Sequence, residues 1–151
     1  MNGPVICGIE DADDDSVAGV ARELAERYAL PLFFVHVLQG ADGHEDAARL
    51  LREAAAPGSA ELALEKGHPA DRLVELARDR GASFLIVGNH GPRSSLLGSV
   101  SADVSRRAPC PVVVVPPTVR NEPRERSDDS DSDVRGGIVR FSLDHSVRRA
   151  A

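Results

Sequence analysis

The sequence predicts an α/β domain, a parallel sheet with helices on both faces, and three observations carry that expectation. Short apolar runs alternate with segments of helical periodicity in the order β-α-β-α-β-α-β-α-β. The run LFFVHV is continuously apolar, as strands covered on both faces are. Finally, 42% of the 151 residues are hydrophobic while aromatics make up 3% and Trp is absent, so the core must be packed from Val, Leu, Ile and Ala.

Each element has its own local reason. Residues 5–9 form a short apolar run that ends in the acidic stretch EDADDDS. Over residues 16–28 the side chains of Val17, Val20, Ala21, Leu24 and Tyr28 fall on one helical face. Pro31 then introduces the buried strand 32–37. Residues 44–56 carry Ala47, Leu50, Leu51 and Ala54 at helical spacing, and Pro57-Gly58 ends that helix. Residues 60–67, AELALEKG, alternate like a half-exposed strand. Pro69 opens the next helix at the position where a missing N–H costs nothing. Leu73, Val74, Leu76 and Ala77 supply its apolar face and Gly81 its stop. A strand over 83–87, a helix over 99–107 and a strand over 112–115 complete the domain.

That domain is expected to occupy residues 1–117. Beyond it, in 118–151, NEPRERSDDSDSDVR is charged, Ser-rich and nearly free of apolar residues, so the tail is expected to be largely disordered. Within it, 138–143 is the one apolar patch able to dock.

Several functions are excluded early. No apolar run reaches the roughly 18–20 residues of a membrane helix. MNGPVIC lacks the basic region of a secretory signal. The expected location is the cytoplasm, without a membrane partner. A net charge of -6 argues against a nucleic-acid partner. All of that charge sits in 1–117, because the tail balances seven arginines against seven acids. Cys7 and Cys110 lie in or beside apolar runs without CxxC spacing, and read as free thiols rather than a disulfide or metal site. The single lysine, Lys66, is far from any glycine loop and no GxxxxGK(S/T) occurs, which removes a P-loop NTPase. The first strand is not followed by GxGxxG.

The functional signal is FLIVGNHGPRSSLLGSVSADVSRRAPCPVVVV, residues 84–115. Gly88 and Gly91 follow a strand, and Gly98-Ser99 opens a helix. In doubly wound sheets ligands settle at the C-terminal ends of strands. A helix N-terminus offers them free N–H groups and the positive end of a dipole. The same pattern also fits a bare strand-to-helix turn capped by Ser99.

VICGIEDADDDS, FFVHVL, EKGHPADRLVELARDRGASFLIVGNHG and LLGSVSADVSRRAPCPVVVVPP together resemble the universal stress protein domain, over residues 4–117. The resemblance implies an open, doubly wound, five-stranded parallel sheet in the order 3-2-1-4-5, commonly dimeric. It also implies ATP or another adenine nucleotide, bound through G-x2-G-x9-G-(S/T) after the fourth strand. Gly88 and Gly91 match the first two glycines, and Gly98 and Ser99 the terminal pair. Val100 and Ser101 continue the phosphate and ribose shell, which Val87 and His90 join from the strand side. Glu10 stands where the family usually has a nucleotide-contacting aspartate, with Gly8 and Ile9 beside it. Val37 stands where a second-strand residue lines the adenine pocket. There are two departures: six residues rather than nine separate Gly91 from Gly98, and Glu10 is one methylene longer than Asp.

Glu10, Asp11, Asp13, Asp14 and Asp15 read as carboxylates favoured by a helix dipole, roughly 0.3–1 kcal/mol each, rather than as a dedicated metal site. Such a run repels phosphates. They are therefore expected over residues 88–99, with Glu10 or Asp11 accepting from adenine or ribose and any Mg2+ arriving with the nucleotide. His90 reads as a phosphate donor or as a solvated loop residue. His36 reads as a satisfied core histidine, while His44, His68 and His145 show no partner. No catalytic residue is assigned, because no Ser/His/Asp or Cys/His arrangement has supporting spacing.

Val112, Val113, Val114 and Val115 form a short apolar strand at the expected sheet edge, which invites another chain. The resemblance implies a homodimer there. The expected function is a dimeric, nucleotide-binding stress sensor or regulator acting on an unidentified protein partner. Two alternatives stand beside it: a nucleotide-free member working through dimerisation and partner contacts, and a slow ATP hydrolase on the same fold.

Overall fold

The computed structural model describes residues 2–12, 14–40, 43–56, 58–90 and 98–117. Five strands and four helices alternate: β1 (Val5–Gly8), α1 (Asp15–Tyr28), β2 (Leu32–Leu38), α2 (His44–Ala55), β3 (Glu61–Lys66), α3 (Pro69–Asp79), β4 (Phe84–Gly88), α4 (Ser99–Arg107) and β5 (Val112–Val115). All strand pairs are parallel and the sheet order is β3-β2-β1-β4-β5. Gly91, the 138–143 patch and the rest of the tail lie outside the described residues.

The two faces of the sheet follow from strand alternation. Val5, Cys7, Phe34 and Ile86 point to one face and meet Val17, Ala18, Ala21 and Ala25 of α1 with Leu51 and Ala54 of α2. Ile6, Phe33, Val35, Leu85 and Val87 point to the other, against Ala70, Leu73, Val74 and Ala77 of α3 and Val104 of α4. Central β1 is buried along its whole length. With small alanines on the helices, aliphatic strand residues fill the core without Trp.

The apolar face of α1 is rotated from the one its heptad spacing suggests. Its buried residues are Val17, Ala18, Ala21 and Ala25, and Tyr28 is 53% exposed. Small residues let the helix sit close to the sheet, and Tyr28 at the last turn rests its ring on Phe84, 5.5 Å away between centroids. Ala29 then takes the left-handed conformation (φ 52°) that ends the helix. Strand β3 lacks the clean alternation its sequence suggests, and Leu62 is 38% exposed, because an edge strand has a neighbour on one side only.

Arg22 links the helices of one face. Its guanidinium donates to the carbonyls of Ala54 and Ala56 at the end of α2, and lies 5.9 Å from the Phe34 ring centroid. Cys7 and Cys110 are both free. Burial, reinforced by the negative charge of Asp14, pushes the Cys7 thiol far up, so it stays protonated. Among the described residues no helix is long and apolar enough to cross a membrane.

Candidate functional site

A cleft opens at the C-terminal ends of the central strands. Gly8, Ile9 and Glu10 leave β1, Val35 and Val37 come from β2, Val87 and Gly88 from β4, and Pro69 and Leu73 from α3. This is the switch point between β1 and β4, where successive crossovers depart to opposite faces. The lining is mainly aliphatic, with the Glu10 carboxylate as its charged group. Its enclosed volume is about 20 Å³, room for one water. Leu73 forms the wall beside Gly8, its Cδ1 lying 3.1 Å from where a Cβ on Gly8 would stand.

On the other side of Gly88 lies a cluster of charge. The Asp14 carboxylate is only 4% exposed. Its Oδ2 accepts the amides of Glu10 (2.6 Å) and Asp11 (3.2 Å). Its Oδ1 stands 3.0 Å from His90 Nε2. Glu10 Oε2 and Asp11 Oδ2 approach the same ring at 3.5 and 3.7 Å. His90 therefore faces carboxylates. Burial, helped by Asp14 and Asp11 and opposed by His90 and His36, raises the Glu10 carboxyl above its ordinary value. His36 is half-buried, and its Nδ1 lies 2.7 Å from the Ile9 carbonyl, fixing the chain just after β1.

Gly88 is what lets these groups meet. A Cβ there would stand 2.7 Å from His90 Nε2 and 3.2 Å from both Asp14 Oδ1 and Val17 Cγ2. Asp11, Asp14 and His90 also offer ligand atoms within 4.8 Å of one another. A second His-carboxylate group, His68, Asp71 and Asp103, lies at the surface, where Arg107 donates to Asp71 at 2.6 Å and to Asp103 at 3.0 Å.

The start of α4 is tied to the chain just past β4. Gly98 is its N-cap, buried and extended (φ −67°, ψ 165°), and it makes no side-chain cap bond to the first-turn amides. Ser99 is the first helical residue and is exposed, so it is not the cap that a bare turn would use. The first-turn N–H groups of Ser99 and Val100 thus lack intrahelical acceptors. Ser101 turns inward: it is 1% exposed and its hydroxyl donates to the Gly98 carbonyl at 3.0 Å. Val100 packs on the α3 side of the core. Asn89 makes the tie, accepting the Gly98 amide on Oδ1 (2.7 Å) while its own N–H donates to the Val115 carbonyl (2.9 Å).

Gly8, Ile9, Glu10, Val37, Val87 and Gly88 are thus brought to one cleft, with His90 in the acidic cluster beside Gly88. Gly98 is tied to Asn89 just past β4, and neither it nor Ser99, Val100 or Ser101 lines the cleft. Sequence reasoning missed Val35, Pro69, Leu73, Asp14 and Asn89. Strand alternation places Val35 beside Val37. Nothing in a run of acids singles out Asp14.

A profile of the universal stress protein family matches residues 1–116. The chain belongs to the universal stress protein family. Universal stress protein YxiE of Bacillus subtilis is 37% identical over 59 residues, 37% of this chain and 40% of that protein. A universal stress protein of Mycobacterium tuberculosis is 50% identical over 52 residues, 32% of this chain and 36% of that protein. The matched stretches therefore span well under half of these relatives. A solved universal stress protein in complex with cAMP is 29% identical, with a TM-score of 0.65, over 78% of this chain and 100% of its own. Strand order and helix placement here are those of the universal stress protein fold.

Proposed function

We propose that this universal stress protein binds an adenine nucleotide carrying a single phosphate and acts as a dimeric regulator. The observation that carries this reading is the α4 N-terminus, whose N-cap Gly98 makes no side-chain cap bond, beside an aliphatic cleft at the β1/β4 switch point. The base would enter the cleft, Glu10 would accept from ribose or adenine, and the phosphate would meet the amides of Ser99 and Val100. Gly91 and Gly98 would shape the loop between. The relative bound to cAMP supports the ligand class.

A triphosphate fits this site less well. The loop between Gly91 and Gly98 holds six residues, the one lysine is distant, and the facing lip carries Glu10, Asp11 and Asp14. A lone phosphate places the least charge near those acids and needs no Mg2+ to do so. Calorimetry is expected to give cAMP or AMP an affinity at least about tenfold above ATP without divalent cations, about 1.4 kcal/mol. Equal affinities would overturn the preference. Absence of binding by any of them would favour a nucleotide-free member, the reading that the cleft's small enclosed volume supports.

Two copies are proposed to pair along β5. Leu85 donates to the Pro111 carbonyl and Asn89 to that of Val115, so the odd-numbered residues of this strand turn their peptide groups to β4. The N–H groups of Val112 and Val114 consequently point to the free edge. Val114→Pro removes one of them without touching the β4 ladder. Light scattering is expected to show this variant as a monomer; a dimer would move the interface elsewhere.

A further inference from the structure

One buried ionisable side chain enters the reading above only through its charge. Asp14 is the N-cap of α1 by position, yet its side chain makes no capping hydrogen bond to that helix. An N-cap carboxylate ordinarily accepts from the amides one turn ahead. This one points backward instead, to the amides of Glu10 and Asp11 and across Gly88 to His90. Burying a carboxylate is costly unless it is fully paired, and here both oxygens are engaged while only 4% of the side chain is exposed. Its partners stand on both sides of the cleft mouth: Glu10 leaves β1, and His90 follows β4 by two residues. Asp14 itself does not line the cleft. The missing Cβ of Gly88 leaves the space through which the imidazole reaches it.

We propose that Asp14 is a positioning residue for ligand binding: its carboxylate clamps the β1–α1 loop to His90 and thereby holds Glu10 at the cleft. The proposal rests on the nucleotide reading, and cAMP is the probe.

Asp14→Ala is expected to weaken cAMP binding about tenfold or more, the loss that accompanies one or two charge-assisted hydrogen bonds. Because Asp14 acts through Glu10, the Asp14→Ala/Glu10→Ala double variant is expected to lie within about twofold of Glu10→Ala alone. Asp14→Asn keeps an oxygen for the loop amides and an N–H for the ring, and is expected to restore affinity to within about threefold of the native protein. Unchanged affinity in Asp14→Ala, or losses that multiply in the double variant, would overturn the proposal. If Asp14→Ala does not fold, His90→Ala, which spares the loop's acceptor, takes its place in the cycle with Glu10→Ala and is judged by the same two outcomes. Hydrogen exchange without ligand separates the two ideas. If the native protein binds no cAMP, the nucleotide reading fails. The clamp then stands or falls on whether Glu10 and Asp11 amide exchange accelerates about tenfold in Asp14→Ala relative to native while staying near native in Asp14→Asn.

Discussion

The two lips at the C-terminal end of the sheet solve the same problem, ending a strand and starting a helix, in opposite ways. After β1 the turn is acidic and its loop amides are answered from within, by Asp14. After β4 the turn is rich in glycine, and Gly98 is the N-cap of α4. Neither helix start carries a side-chain cap from its own N-cap residue, so the lips differ in charge. Carboxylates crowd the start of α1, whereas the first turn of α4 has no acidic residue and its dipole favours an anion. On the nucleotide reading proposed above, the polar hydroxyls or base edge would go to the acidic side and the phosphate to the helical side.

The change expected to damage this arrangement most is Gly88→Ala, since Gly88 separates the lips. Its methyl group would displace His90 from Asp14, and overpacking of this kind costs about 1–3 kcal/mol. Chemical denaturation and cAMP calorimetry are both expected to register the loss, and native stability with native affinity would show that the ring has another place to go. Asn89→Asp is the sharper probe. It keeps an oxygen for the Gly98 amide but brings an anion to the helical lip. Thermal stability is expected to hold or rise, because a carboxylate near a helix N-terminus is favoured by about 0.3–1 kcal/mol. Nucleotide affinity is expected to fall about tenfold, a penalty of about 1.4 kcal/mol. An unchanged affinity would move the phosphate away from α4.

Glu10→Gln should have the smallest effect. The folded protein raises the Glu10 carboxyl, so over the window from its ordinary value of 4.5 upward the native state holds more proton than the unfolded chain. Stability from this group is therefore present at low pH and lost as pH rises through the folded titration. Glu10→Gln removes that slope, and urea denaturation at pH 5 and pH 7 is expected to show a smaller difference than in the native protein. An equal difference would locate the pH dependence elsewhere.

Most elements were legible because their signals are local. Pro69 opens α3, and α4 and β5 begin and end where periodicity and the flanking prolines place them. Strand order was not local: alternation specifies parallel crossovers without saying which strands become neighbours, and the order came from the family resemblance. Tyr28 misled because a helical wheel weighs hydrophobicity, whereas the close approach of α1 selected its alanines. At the site, Gly88 could be placed by its position at a strand end, whereas Gly8, Ile9, Glu10 and Val37 were placed by the family resemblance. Leu73 and Asp14 could be placed by neither, since one reaches the cleft only when α3 docks and the other differs from its acidic neighbours only in burial.

Arg22 gives the fold a sense of time. The last carbonyls of α2 receive their donor from a residue of α1 that lies 32 positions earlier in the chain, across an intervening strand. Until α1 and β2 are seated, that helix end has only water to satisfy it, and twelve residues are too few for α2 to persist alone. The α1-β2-α2 segment is therefore expected to order as one unit, with the guanidinium over Phe34 joining its two helices.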